Sequence, residues 1–166
     1  MHLDRRTFFT AATALLVAPS LATRVFADTA PAIAALDKSQ LVYLCPTRAD
    51  GSDSRCQAEV WFVHLDGDIV VCTSAKAWRA RAVAQGLAQA RAWVGEFGVW
   101  KQADGAYLSA PHLRVEGRLE ADAAFHARAL EAFGAKYPAE WGSWGPRFRD
   151  GLADGSRVLL RYRPQA

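Results

Sequence analysis

Three short apolar runs separated by Asp-Gly pairs constrain this chain more than any other feature. Leu41-Val-Tyr-Leu-Cys45 stops at Pro46, and Asp50-Gly51 follows before Ala58-Glu-Val-Trp-Phe-Val63. Asp66-Gly67 then precedes Ile69-Val-Val-Cys-Thr73. Asp-Gly between apolar runs marks a hairpin, because glycine accepts the positive φ that tight turns need. The three runs therefore predict an antiparallel meander. The clearest alternation lies further on, where Leu113, Val115, Gly117 and Leu119 interleave with Arg114, Glu116, Arg118 and Glu120. A period of two gives a strand with one dry and one wet face.

Helical signals lie between and after these strands. From Ala75 to Ala88 the residues are mostly Ala, Arg, Leu and Gln, with no proline and with Ser74 as N-cap. Residues 91–97 return to strand character. Phe125, Leu130, Phe133 and Tyr137 recur at helical spacing behind Asp122. A short helix is expected near Pro146–Leu152, after the Trp141-Gly-Ser-Trp144 segment, and Val158–Tyr162 reads as a closing strand. About six strands, two or three peripheral helices and short turns predict a mainly β, α+β fold: a small antiparallel barrel.

The N-terminus reads as an address. Asp4-Arg5-Arg6-Thr7-Phe8-Phe9 places paired arginines before a mild apolar stretch, and Val25-Phe26-Ala27 offers a cleavage site. About ten apolar residues are too few for the roughly 20 that span a bilayer, so no stable membrane anchor is expected. The segment resembles a twin-arginine signal, which implies recognition by that export machinery and a periplasmic or secreted protein. Residues 1–27 are thus read as signal, 28–39 as a polar, Ala-rich lead-in, and 40–166 as one domain.

Without residues 1–27 the net charge falls from +3 to +1, and no basic run calls for nucleic acid. Cys45, Cys56 and Cys72 are too few for a disulfide scaffold. An oxidising compartment would permit a Cys45–Cys56 bridge; otherwise all three serve as small buried apolar residues. His64, His112 and His126 lack partners at ligand spacing and read as structural or surface residues, so no metal is expected. Trp93, Trp100, Trp141 and Trp144 read as core, although two tryptophans among glycines at 141–144 would also suit a lid over a ring.

The stretch from Cys72 to Arg81 carries the most chemistry. A strand ends in Thr73 and Ser74 and passes into a helix bearing Lys76, Arg79 and Arg81. Hydroxyls, cations and free backbone N–H groups together suit a phosphate, though a capped helix with a wet basic face uses the same residues. Tyr43 to Gly51, Glu59-Val-Trp-Phe62, Asp66-Gly-Asp68 and Thr73…Trp78-Arg-Ala-Arg81 follow one another in an order resembling the pyridoxamine 5'-phosphate oxidase-like, FMN-binding split barrels. The resemblance spans about residues 40–120. It implies a split β-barrel homodimer with the cofactor between subunits. Val60 and Trp61 would face a flavin ring, while Thr73, Ser74 and Arg79, with Lys76 and Trp78 beside them, would hold its phosphate. Glu59 stands where that family has proline, Arg79 where it has lysine, and Ala77 where it has serine before Trp78. The same fold serves deazaflavin (F420) and haem proteins. The readings are therefore an FMN oxidoreductase acting on a small-molecule substrate, a haem-binding split barrel, or a cofactor-free binding module. The catalytic residues are unknown at this level.

Overall fold

In a computed structural model the described residues run from 22 to 165, with side chains described from residue 29. Residues 1–21, which hold the arginine pair and most of the expected signal, lie outside them. Helix α1 (Ala22–Leu36) leads into strands β1 (Leu41–Pro46), β2 (Ala58–Trp61), β3 (Val63–Leu65) and β4 (Asp68–Ser74). Helix α2 (Trp78–Ala84), β5 (Gln89–Val94), a 3-10 turn (Ala106–Ser109) and β6 (His112–Glu120) follow. Helices α3 (Ala123–Lys136) and α4 (Pro138–Ala153) precede the last strand, β7 (Arg157–Pro164).

Every strand pairing is antiparallel, in the order β2-β1-β5-β6-β7-β4-β3. The two ends of that order, β2 and β3, are consecutive in the chain and separated only by Phe62. One run of chain thus pairs with β1 through its first half and with β4 through its second, and the sheet nearly closes into a barrel. The expected hairpin at Asp66-Gly67 is present, with φ of 54° and 77° at the two residues and Leu65 opposite Asp68.

The period of two builds two sides from each strand. Val42 and Leu44, Ile69 and Val71, Ala92 and Val94, Leu113 and Val115, and Leu160 and Tyr162 fill the barrel interior. Outside the wall, α3 and α4 cover Val63, Val70 and Leu159 with Phe125, Phe133 and Phe148. The segment after β5 covers Tyr43, Cys45 and Trp93 with Tyr107 and Ala110. Leu119, expected inside with Leu113 and Val115, is instead 44% exposed: it still lies opposite the buried Leu160 of β7, but β5 no longer pairs with β6 beyond Glu116.

Three expectations about local structure change. The lead-in at 28–39 is largely helix: α1 runs across the expected cleavage point to Leu36, and Ala32 and Leu36 are buried in the barrel core. Its alanines favour helix, and the open end of the interior supplies the apolar surface that orders it. Helix α2 begins at Trp78 rather than Ala75. Ser74 is not its N-cap: the Ser74 hydroxyl accepts the N–H of Lys76 and its carbonyl that of Ala77, which makes a turn before the helix. Finally, residues 138–153 form one continuous helix despite Gly142, Gly145 and Pro146. Gly134 and Gly145 make room for Trp141, since a Cβ on either would lie 2.8–2.9 Å from its indole. Trp141 is thus a packing residue between α3 and α4 and not a lid. The glycine cost of about 1 kcal/mol each in a helix is offset by the burial of a large ring.

The gap at Phe62 is bridged from outside the sheet. The Tyr137 hydroxyl accepts the Phe62 N–H at 3.0 Å and lies 2.8 Å from both the Phe62 and the Gln40 carbonyl oxygens, to one of which it donates. An unsatisfied buried amide costs about 1–3 kcal/mol, so this one phenol does for the kinked strand what a ladder does elsewhere.

Candidate functional site

Beside the barrel wall, β2, β4, β7 and α4 enclose a cleft of about 440 Å³. Glu59, Val60 and Trp61 line one side, with Leu41 beside them; Cys72, Arg157, Trp144 and Phe148 line the other. Trp61 is fixed from behind: its ring stacks on Tyr137 at 4.5 Å and 8°, and Trp144 meets it edge-on at 5.9 Å. Arg157 lays its guanidinium 5.7 Å from the Trp144 ring centre and 5.1 Å from that of Phe148. Gly151 permits this, because a Cβ there would sit 2.7 Å from the Arg157 stem. The result is an aromatic cleft with one cation held along its wall. Burial pushes the Cys72 thiol up to about 12, against the opposing pull of Arg157, so it stays protonated at neutral pH.

A polar cluster adjoins the cleft at the end of β4. Thr73 points to the opposite side of its strand from Cys72 and is buried. The Arg79 Nη1 donates to Thr73 Oγ1 at 2.8 Å. Among the described residues the buried Arg79 Nε has no partner, and neither has the hydroxyl of Tyr162, a residue only 1% exposed. Burial lowers the pKa of Arg79, with Tyr162, Cys56 and Glu59 the nearby groups that counter it. Glu59 also lines the aromatic cleft, where its carboxylate accepts the Trp100 N–H at 3.0 Å. Among the described residues no carboxylate lies within ion-pair distance of Arg79.

The structure thus brings Val60 and Trp61 to one cleft and joins Thr73 to Arg79 beside it. Ser74 and Lys76 are exposed, and they and the half-buried Trp78 lie outside the cleft lining. Arg79 was expected on a wet helix face with Lys76 and Arg81. It is half-buried, because the short α2 turns it toward Thr73 and the barrel end. Sequence reasoning missed Cys72, Phe148 and Arg157 as lining residues. Only Trp144 carried a signal, as half of the proposed lid. Of the cysteines, Cys45 is buried with its thiol 3.4 Å from the Ser54 carbonyl oxygen, Cys72 is half-buried and Cys56 is exposed. All three are free thiols, so neither the bridge nor uniform burial describes them. His64 pairs with Asp37 at 2.8 Å, and His126 lies 2.8 Å from the Glu120 carbonyl oxygen.

No family model and no curated protein matches the sequence. Solved structures do. The haem storage protein HutZ from Vibrio cholerae aligns with a TM-score of 0.55 at 16% identity, over 80% of this chain and 87% of that one. A candidate pyridoxamine 5'-phosphate oxidase from Listeria innocua aligns at 0.51 and 13%, over 89% and 95%. A haem-binding protein from Mycobacterium smegmatis aligns at 0.51 and 19%, over 90% of this chain and 53% of that one. At these identities the likeness defines the fold. The chain is a split barrel, the architecture of the pyridoxamine 5'-phosphate oxidase-like proteins among these neighbours. Among the described residues no helix is long and apolar enough to cross a membrane.

Proposed function

We propose that the protein binds FMN and is an oxidoreductase for a small molecule outside the cytoplasm. The observation that carries this reading is Arg79: a half-buried guanidinium, anchored to Thr73, with a buried Nε that has no partner and no carboxylate in ion-pair reach among the described residues. A desolvated cation of this kind favours a bound anion, and guanidinium matches phosphate geometry bidentately. The adjoining aromatic cleft suits a planar ring system. In this reading Arg79 and Thr73 hold the phosphate, Trp61 and Trp144 exclude water from the ring, and Arg157 offers positive charge beside it. A bound flavin supplies the electron chemistry, and the protein positions it. Deazaflavin remains the nearest alternative.

Haem is the second reading, favoured by two neighbours described as haem-storage or haem-binding. Haem iron takes an axial His, Met, Tyr or cysteine thiolate. The cleft lining offers only Cys72, whose thiol is held in the protonated form. The lining therefore supports a flavin over haem.

Absorption of the purified protein tests this reading: flavin bands are expected, a Soret band would support haem, and neither band would support a cofactor-free module, unless added FMN binds. The same sample should scatter light as a dimer, at twice the mass of one mature chain, if the cofactor lies between two subunits as the resemblance implies. A monomer that holds its flavin would overturn that arrangement. Export by the twin-arginine route belongs to the same proposal. Replacing Arg5 and Arg6 with lysine should leave the precursor in the cytoplasm; normal export of that variant would refute it.

A further inference from the structure

A second cleft, of about 380 Å³, lies between the end of α1, β3 and α3. Its walls are apolar, with Leu36, Val63, Ala132 and Ala135, and it holds three titratable groups: Asp37, His64 and Lys136. Lys136, at the last position of α3, bends inward. Its Nζ lies 3.4 Å from the ring centre of the fully buried Phe62 and 5.7 Å from that of Tyr137. Among the described residues no carboxylate lies within ion-pair distance of this amine. His64 faces the same cleft from β3, with its Nδ1 2.8 Å from Asp37.

We propose that this cleft is a site for small apolar aldehydes, which Lys136 captures as an imine with the Asp37–His64 pair as its proton carrier. The amine adds to the carbonyl carbon, forming a C–N bond as the C=O π bond breaks, and one amine proton passes to the carbonyl oxygen. The C–O bond then breaks, the hydroxyl leaving as water with a proton from His64, and the nitrogen gives its remaining proton back to His64 as the C=N bond forms. No electrons are exchanged with an outside partner. Loss of water is what favours the step: a desolvated amine stays neutral more readily than a hydrated one, against the pull of the Phe62 and Tyr137 faces, which favour the ammonium. Burial lowers its pKa to about 8, although Asp37 and Glu96 pull the other way. At pH 7 about a tenth of such an amine is neutral, against about one in 2,500 for an ordinary lysine.

The chain has three other lysines, Lys38, Lys76 and Lys101, and they serve as internal controls. The full chain is treated at pH 7 with benzaldehyde and cyanoborohydride, which reduces the imine to a stable secondary amine, and the sites are mapped by peptide mass spectrometry. Lys136 is expected to be modified at least about tenfold faster than each of the other three, the lower basicity of the amine reducing the full advantage in free base. Even modification of all four lysines, or slow modification at Lys136, would overturn the proposal. In Lys136→Met the fast phase should vanish while circular dichroism stays unchanged. His64→Gln should slow adduct formation at Lys136 but leave its rate with acetic anhydride, which needs no proton carrier; equal loss with both reagents would sink the role given to His64.

Discussion

Asp68→Asn is expected to lower stability by about 3 kcal/mol, the largest effect of any single change outside the apolar core. The Asp68 side chain is 0% exposed and receives three arginines: Arg161 at 2.7 Å, Arg163 at 2.9 Å and Arg118 at 3.3 Å. They come from β6 and β7 onto the first residue of β4, so the cluster ties three adjacent strands together. Removing one partner of a buried ion pair costs about 3–5 kcal/mol, because the charges left behind have lost their solvation. The lower end applies here. Arg163 and Arg118 are 57% and 49% exposed and can turn to water, while Arg161 keeps Glu120 at 2.9 Å. For a domain of this size that loss is a fall in melting temperature on the order of 10 °C. Arg118→Gln should cost under about 1 kcal/mol, as exposed pairs do. Urea unfolding of both variants checks the pair; a loss below about 1 kcal/mol for Asp68→Asn would mean that the cluster is not holding the strands.

The same carboxylate sets an acid limit. Burial alone would raise the Asp68 pKa, but its hydrogen bonds and charge pairing with Arg163 and Arg161 outweigh this and hold it below the ordinary aspartate value. A depressed native pKa contributes stability that is fully present above the unfolded value, about 3.9, and is lost as pH falls through the folded one. Wild type should therefore lose stability below about pH 4 more steeply than Asp68→Asn. Parallel acid titrations of the two by circular dichroism would show it.

Arg79→Ala is expected to weaken FMN binding by about ten- to a hundredfold while leaving riboflavin binding nearly unchanged. A hydrogen bond to a charged group contributes roughly 1.5–3 kcal/mol, and each 1.4 kcal/mol is a factor of ten in affinity. Riboflavin lacks the phosphate and so does not reach the guanidinium. The folded protein should barely notice the change, within about 1 kcal/mol: the bond to Thr73 is lost, but so is the cost of holding a half-buried cation without a counterion. Flavin fluorescence titration of both ligands separates the outcomes. Equal losses for both would make Arg79 a general shaper of the cleft, and no change for either would remove it from the site.

Much of the barrel was legible along the chain. The Asp66-Gly67 turn, the period of two in β6 as far as Gly117, and the helical spacing behind Asp122 depend on neighbours a few residues apart, and these formed as read. The site was half legible. Val60 and Trp61, and the grouping of Thr73 with Arg79, came from the family resemblance. Arg157 and Phe148 did not, because they approach the cleft from strand and helix positions more than 70 residues beyond β4, and nothing local marks that approach.

What the sequence by itself determined was which residues alternate, where the chain turns, and which segments can be helical, since these depend on backbone preference and local periodicity. The tertiary structure alone decided the rest. It kinked one strand at Phe62 so that the sheet could close, with the Tyr137 hydroxyl filling the gap from 75 residues away. It drew α1 into the open barrel end, although composition marked that segment as a mere lead-in. It also turned Arg79 from a wet helix face to the barrel end, where burial lowers the pKa of its guanidinium. In each case the deciding quantity is the solvation of a group, and solvation is set by distant segments of chain that pack over it.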